Sequence, residues 1–147
     1  MKVHLQLVAI TLGILALASC QQGSSINAKA AGADTVIVTQ AQDGARVVLG
    51  PGQTLLVRLP VSTDRGMRWE MEAMPDQAVL MPDGQRIVQS NDQVKYDSMI
   101  AYEELRFQAQ ARGRTKLQLN YDRPGYGESS VQRRFNIDVV VSEAGSR

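Results

Sequence analysis

Imidazole and thiol chemistry in this chain of 147 residues rests on two side chains, His4 and Cys20, its only histidine and its only cysteine. Ser-His-Asp and Cys-His catalysis, histidine-rich zinc sites and CxxC redox or metal motifs all need more than that pair. The acidic residues are scattered, without the spacing of a calcium loop. No Asp/Glu pair stands out at a cleft-forming position for carboxylate-only hydrolysis. No metal, no cofactor and no catalytic residue are therefore expected. Such a chain works by binding.

Both rare residues lie in the first twenty positions. Lys2 precedes an almost wholly apolar run, Leu5 to Ala18, broken only by Gln6, Thr11 and Gly13. A run of about 14 residues falls short of the roughly 20 that a membrane-spanning helix needs, so residues 1–19 read as a secretory signal. Leu17-Ala18-Ser19-Cys20 resembles the bacterial lipoprotein signal, which implies that Cys20 is acylated and becomes the first mature residue. Acylation also accounts for a lone cysteine in an oxidising compartment. Gln21 stands where an acidic residue often marks inner-membrane retention. The expected location is the cell envelope, lipid-anchored in the outer membrane and facing the periplasm.

Removing nineteen residues from 147 leaves 128, and losing Lys2 from 16 basic residues leaves 15 against 15 acidic ones. A balanced charge gives no basic field for a phosphate backbone, and 5% aromatic residues make a poor base-stacking platform, so no nucleic-acid partner is expected. Residues 20–33 are rich in Gly, Ser, Ala, Asn and Gln and read as a flexible tether. Residues 34–147 form one domain. A domain of that size buries roughly 70% of its unfolded surface and needs no disulfide. A monomer is expected.

From Thr35 onward apolar residues recur with period two in short blocks separated by Gly, Pro, Asp or Asn. Thr35 to Thr39 and Arg46 to Leu49 flank a Gln42-Asp43-Gly44 turn. Leu55, Val57 and Leu59 share one face against Thr54, Leu56 and Arg58. Trp69, Met71 and Ala73 alternate with Arg68, Glu70 and Glu72, which turns the only tryptophan inward. Leu105, Phe107, Ala109 and Ala111 alternate with Glu104, Arg106, Gln108 and Gln110, and Arg112-Gly113-Arg114 turns the chain. Leu117, Leu119 and Tyr121 form one further inward set, and Phe135, Ile137, Val139 and Val141 another. Met74 to Asp97, interrupted by Pro75, Pro82 and Gly84, is expected to be irregular. About seven to eight strands make an all-β, immunoglobulin-like sandwich.

Binding residues of a sandwich concentrate on loops gathered at one end of its sheets. Three are candidates here: Ser62-Thr63-Asp64-Arg65-Gly66, the stretch Tyr96 to Tyr102 with Met99, Ile100 and Ala101, and Arg123-Pro124-Gly125-Tyr126. The order of features resembles the chagasin family, inhibitors of papain-like cysteine peptidases built on an immunoglobulin-like fold. The resemblance spans roughly Gly44 to Val141. It rests on Gly52-Gln53 opening a strand that ends Leu59-Pro60, on Gly66-Met67-Arg68-Trp69, and on Leu117-Gln118-Leu119-Asn120-Tyr121-Asp122-Arg123-Pro124 followed by Phe135-Asn136-Ile137-Asp138-Val139.

The family's first inhibitory loop reads Asn-Pro-Thr-Thr-Gly, an aromatic, one further residue and Trp. Ser62 to Trp69 fill those slots and keep the glycine and the tryptophan. The second family loop, Gly-x-Gly-Gly, falls near Ser98 to Ala101, which has no glycine. The third reads Arg-Pro-Trp or Arg-Pro-Phe, and Arg123-Pro124 match while Gly125 replaces the ring, with Tyr126 one residue later. The resemblance implies three loops inserted side by side into a peptidase cleft. A stiff wedge avoids ordering costs of roughly 0.5–1.5 kcal/mol per side chain.

Each feature has a plainer role beside the functional one. Trp69 serves the core, Gly66 a positive φ, Arg123-Pro124 a turn with Pro at its second position, and Glu103-Glu104 and Arg133-Arg134 solvated positions beside strands. The expected function is reversible inhibition of a papain-like cysteine peptidase by the three loops. The alternative is a non-inhibitory envelope lipoprotein that binds another protein or a cell-wall component.

Overall fold

A computed structural model describes residues 34–89 and 101–143. The expected signal, Cys20, the tether, Met99 and Ile100 lie outside the described residues. Eight strands form two four-stranded sheets. They are β1 (Thr35–Thr39), β2 (Arg46–Leu49), β3 (Thr54–Val61), β4 (Arg68–Met71), β5 (Leu80–Gln89), β6 (Ala101–Ala109), β7 (Gly113–Asp122) and β8 (Arg133–Val141). One sheet runs β1-β3-β6-β5 and the other β2-β8-β7-β4. The chain is an all-β sandwich of the immunoglobulin-like kind, and the period-two pattern is its cause. Leu55, Val57 and Leu59 of β3 meet Leu117, Leu119, Phe135, Ile137 and Val139 of the facing sheet in a single core.

The Gln42-Asp43-Gly44 turn forms, but it does not pair the strands it joins. β1 lies parallel to β3, β2 lies parallel to β8, and the turn carries the chain from one sheet to the other. The sequence blocks overrun the strands slightly: β4 stops at Met71 and β6 at Ala109, leaving Ala73 and Ala111 exposed. Gly113 opens β7 rather than ending a turn. A Cβ there would sit 2.6 Å from Val79 Cγ2, so only glycine allows the close approach.

Two expectations are corrected. Within the stretch from Met74 expected to be irregular, Leu80–Gln89 is a ten-residue strand, paired with β6 through a register shift between Pro82 and Gln85. β5 is an edge strand, so only one side of its backbone must pair, and a proline with a local bulge is tolerated there. Glu103 and Glu104 are not solvated: they are 2% and 0% exposed. Glu103 has the same parity as Leu105 and Phe107 and therefore points between the sheets. Glu104 points outward but is covered by arginines of both neighbouring strands.

Candidate functional site: three loops on one pole

Strand directions decide where the candidate loops meet. Val61, the last residue of β3, pairs with Ala101, the first of β6, and Ala101 pairs with Gln89, the last of β5. In the other sheet, Arg68 at the start of β4 pairs with Asp122 at the end of β7, and Tyr121 pairs with Arg133 at the start of β8. The connections β3 to β4, β5 to β6 and β7 to β8 therefore leave the sandwich at the same pole. Ser62 to Gly66 and Arg123 to Tyr126 lie in two of them. Ala101 is not in a loop: it is a buried residue of β6 at the stem of the third.

The first loop is a single 3-10 turn, Thr63–Arg65, closed by Gly66 at φ 65°, whose N–H donates to the Thr63 carbonyl at 3.2 Å. Left-handed backbone is what glycine supplies. Thr63, Asp64, Arg65 and Gly66 are exposed, and Met67 then dives into the core. The last loop opens with a tight turn: Pro124 stands second, Gly125 third at φ 87°, and the Tyr126 N–H donates to the Arg123 carbonyl at 3.2 Å. Proline fixes one φ and glycine provides the positive one, the requirement of a type II turn. Tyr126 follows, 65% exposed.

Below the tips lies a buried frame. Trp69 is fully buried, as its alternation predicts, with its ring centroid 5.0 Å from that of Tyr121. Its Nε1–H donates to the Pro60 carbonyl at 3.0 Å. The Tyr121 hydroxyl accepts from the Ser62 N–H at 2.8 Å and so fixes the start of the first loop. Arg133, exposed as expected, lays its guanidinium 4.7 Å from the Tyr121 ring centroid.

Glu103 completes this frame, and sequence reasoning missed it. β4 is an edge strand, so Trp69 has a backbone N–H and a carbonyl that no strand pairs. Glu103 Oε2 accepts from that N–H at 2.8 Å, and Gln85 Nε2 donates to that carbonyl at 2.9 Å and to Glu103 Oε1 at 2.7 Å. Two side chains of one sheet thereby stand in for a missing strand of the other. The signal was present in the sequence, because period two puts residue 103 on the same face as 105 and 107.

On the outer face of β6, Glu104 takes Arg58 Nε at 2.9 Å and Nη2 at 2.5 Å on Oε1, and Arg86 Nε at 2.8 Å and Nη2 at 2.7 Å on Oε2. Burial pushes its carboxyl pKa up, but the hydrogen bonds and charges of Arg58 and Arg86 outweigh burial and hold it below the usual carboxylate value. The triad clamps β3, β6 and β5 together beneath the pole. Among the described residues no group of three His, Cys, Asp or Glu is arranged to hold a metal ion.

The model of the chagasin family, peptidase inhibitor I42, matches residues 48–139, more than half of the chain. The cysteine protease inhibitor EhICP2 of Entamoeba histolytica is similar in structure at a TM-score of 0.62 and 17% identity, over 74% of this chain and 96% of that one. Amebosin is similar at a TM-score of 0.55 and 16% identity, over 74% of this chain and 98% of its own. PbICP-C, solved in complex with falcipain-2, aligns at a TM-score of 0.40 and 16% identity, over 82% of this chain and 95% of its own. No curated protein sequence is significantly similar. On the match across β2 to β8 and the sandwich that those strands build, the chain belongs to the chagasin family of peptidase inhibitors.

Proposed function

We propose that this chain is a reversible inhibitor of papain-like cysteine peptidases, held at the cell envelope by acylated Cys20, and that it blocks the active-site cleft with the loops at one pole. The proposed wedge consists of Ser62 to Gly66, Arg123 to Tyr126 and the stretch of Ser98, Met99 and Ile100 that precedes β6 in the sequence. The partner is the peptidase, and the lipid anchor provides the membrane attachment. The family is one of inhibitors, and the chain is not an enzyme.

The observation that carries this reading is the gathering at one pole of the first and last loops and of the strand ends Gln89 and Ala101, above one rigid frame. A preorganised wedge loses little entropy on docking. The chain also enters β1 at the other pole, where the Thr54 N–H donates to the Asp34 carbonyl.

The test is inhibition of a panel of papain-like peptidases by the chain with Cys20→Ser, with the recovered inhibitor weighed by mass spectrometry. Tight inhibition with the chain intact supports the reading. Cleavage after Arg65, or no inhibition across the panel, sinks it. A second reading, a non-inhibitory envelope lipoprotein binding another protein or a cell-wall component, draws on the exposed charges of Asp64 and Arg65. Burying unpaired charge in a cleft is costly unless the target supplies partners. Recovery of envelope proteins without any peptidase in a pulldown favours it.

A further inference from the structure

The first loop has little of its own to hold its tip. None of Thr63, Asp64 or Arg65 is buried, Ser62 makes no side-chain cap, and the turn lacks the proline that stiffens its counterpart. Its fixed points are at its two ends, the Ser62 N–H on Tyr121 and buried Met67. Among the described residues, Arg123 reaches the tip from the last loop: its Nη2 donates to the Arg65 carbonyl at 3.3 Å. That carbonyl ends the 3-10 turn, where backbone acceptors lack partners within the turn. The same guanidinium lies over the Tyr126 ring, 5.3 Å from its centroid. It forms no ion pair within 4.0 Å with a carboxylate among the described residues.

From these contacts we infer that Arg123 is a positioning residue, a latch that sets the spacing of the two loops before any peptidase arrives. Its planar fork suits the task, since one edge serves a carbonyl while the flat face covers a ring. The residues left to meet the target are then Asp64, Arg65 and Tyr126, and the Arg123 charge is directed within the inhibitor. This inference rests on the inhibitor reading for its purpose, but the latch itself is a property of the free chain.

The test compares Arg123→Ala and Arg123→Lys with the native chain in two measurements: amide hydrogen exchange in the free protein, and inhibition kinetics against a papain-like peptidase at low and high salt. A latch predicts faster exchange at residues 63–66 in Arg123→Ala, with sheet amides unchanged. It also predicts inhibition weakened roughly tenfold, the equivalent of about 1.4 kcal/mol, at either salt concentration. Arg123→Lys restores neither, because an ammonium is a point donor and cannot hold carbonyl and ring together. Unchanged exchange at residues 63–66 overturns the latch whatever the inhibition shows. A loss of inhibition that is salt-sensitive and rescued by Lys assigns Arg123 to a direct contact with the peptidase. Faster exchange without any inhibition by the native chain sinks the inhibitor reading and leaves the latch standing.

Discussion

The pole has two layers that differ in almost every physical respect. The frame, Trp69, Tyr121 and Glu103, is 0–2% exposed and every polar atom used in it has a partner within 3.0 Å. The tips, Asp64, Arg65 and Tyr126, are exposed, and backbone turns and Arg123 help to hold them. The difference separates folding from recognition. Below, a substitution disturbs the packing of both sheets; above, it changes what a partner meets.

The comparison is broken most severely at its centre. Trp69→Ala removes the largest buried side chain and is expected to cost about 3–5 kcal/mol of stability, read as a lower urea midpoint. Inhibition should weaken with it, because Tyr121, whose ring packs tilted against Trp69, also holds Ser62. A loss of stability below about 1 kcal/mol would place Trp69 outside the core logic and blur the two layers.

A smaller effect concerns the outer clamp. Because Glu104 has a lowered folded pKa, its contribution to stability is fully present above the ordinary carboxylate value of 4.5 and is lost as pH falls through the lowered one. Glu104→Gln should therefore destabilise the chain at pH 7, and the gap from the native chain should narrow on going to pH 3. Urea titrations at the two pH values measure this. A gap that widens in acid would reverse the sign of the argument.

The smallest stability effect belongs to the tip. Tyr126→Ala is expected to leave the midpoint within about 0.5 kcal/mol of native while weakening inhibition, since exposed aromatics act as anchors without serving the core. Equal losses of stability and inhibition would place Tyr126 in the frame instead.

How much of this was legible beforehand follows from what kind of information each feature needs. Period two marked the inward faces of β3, β7 and β8, because alternation is a property of a single strand. Gly66 and Pro124-Gly125 were legible as turns for the same reason, since φ preferences are local. Glu103 was misread because a carboxylate is normally solvated, and its parity carried the signal that chemistry obscured. The strand at Leu80–Gln89 was hidden by Pro82 and Gly84, which are tolerated only because β5 is an edge.

By itself the sequence determined the all-β class, the burial of Trp69, the turn residues of two loops and the absence of histidine chemistry beyond position 4. Each depends on residue type and short-range spacing. Only the tertiary structure decided which strands pair, that β1 and β2 divide between sheets, that Glu103 replaces a strand beside Trp69, and that Arg123 reaches the Arg65 carbonyl 58 residues away. Those are contacts between segments distant along the chain, and they exist only once two sheets have closed on a common core.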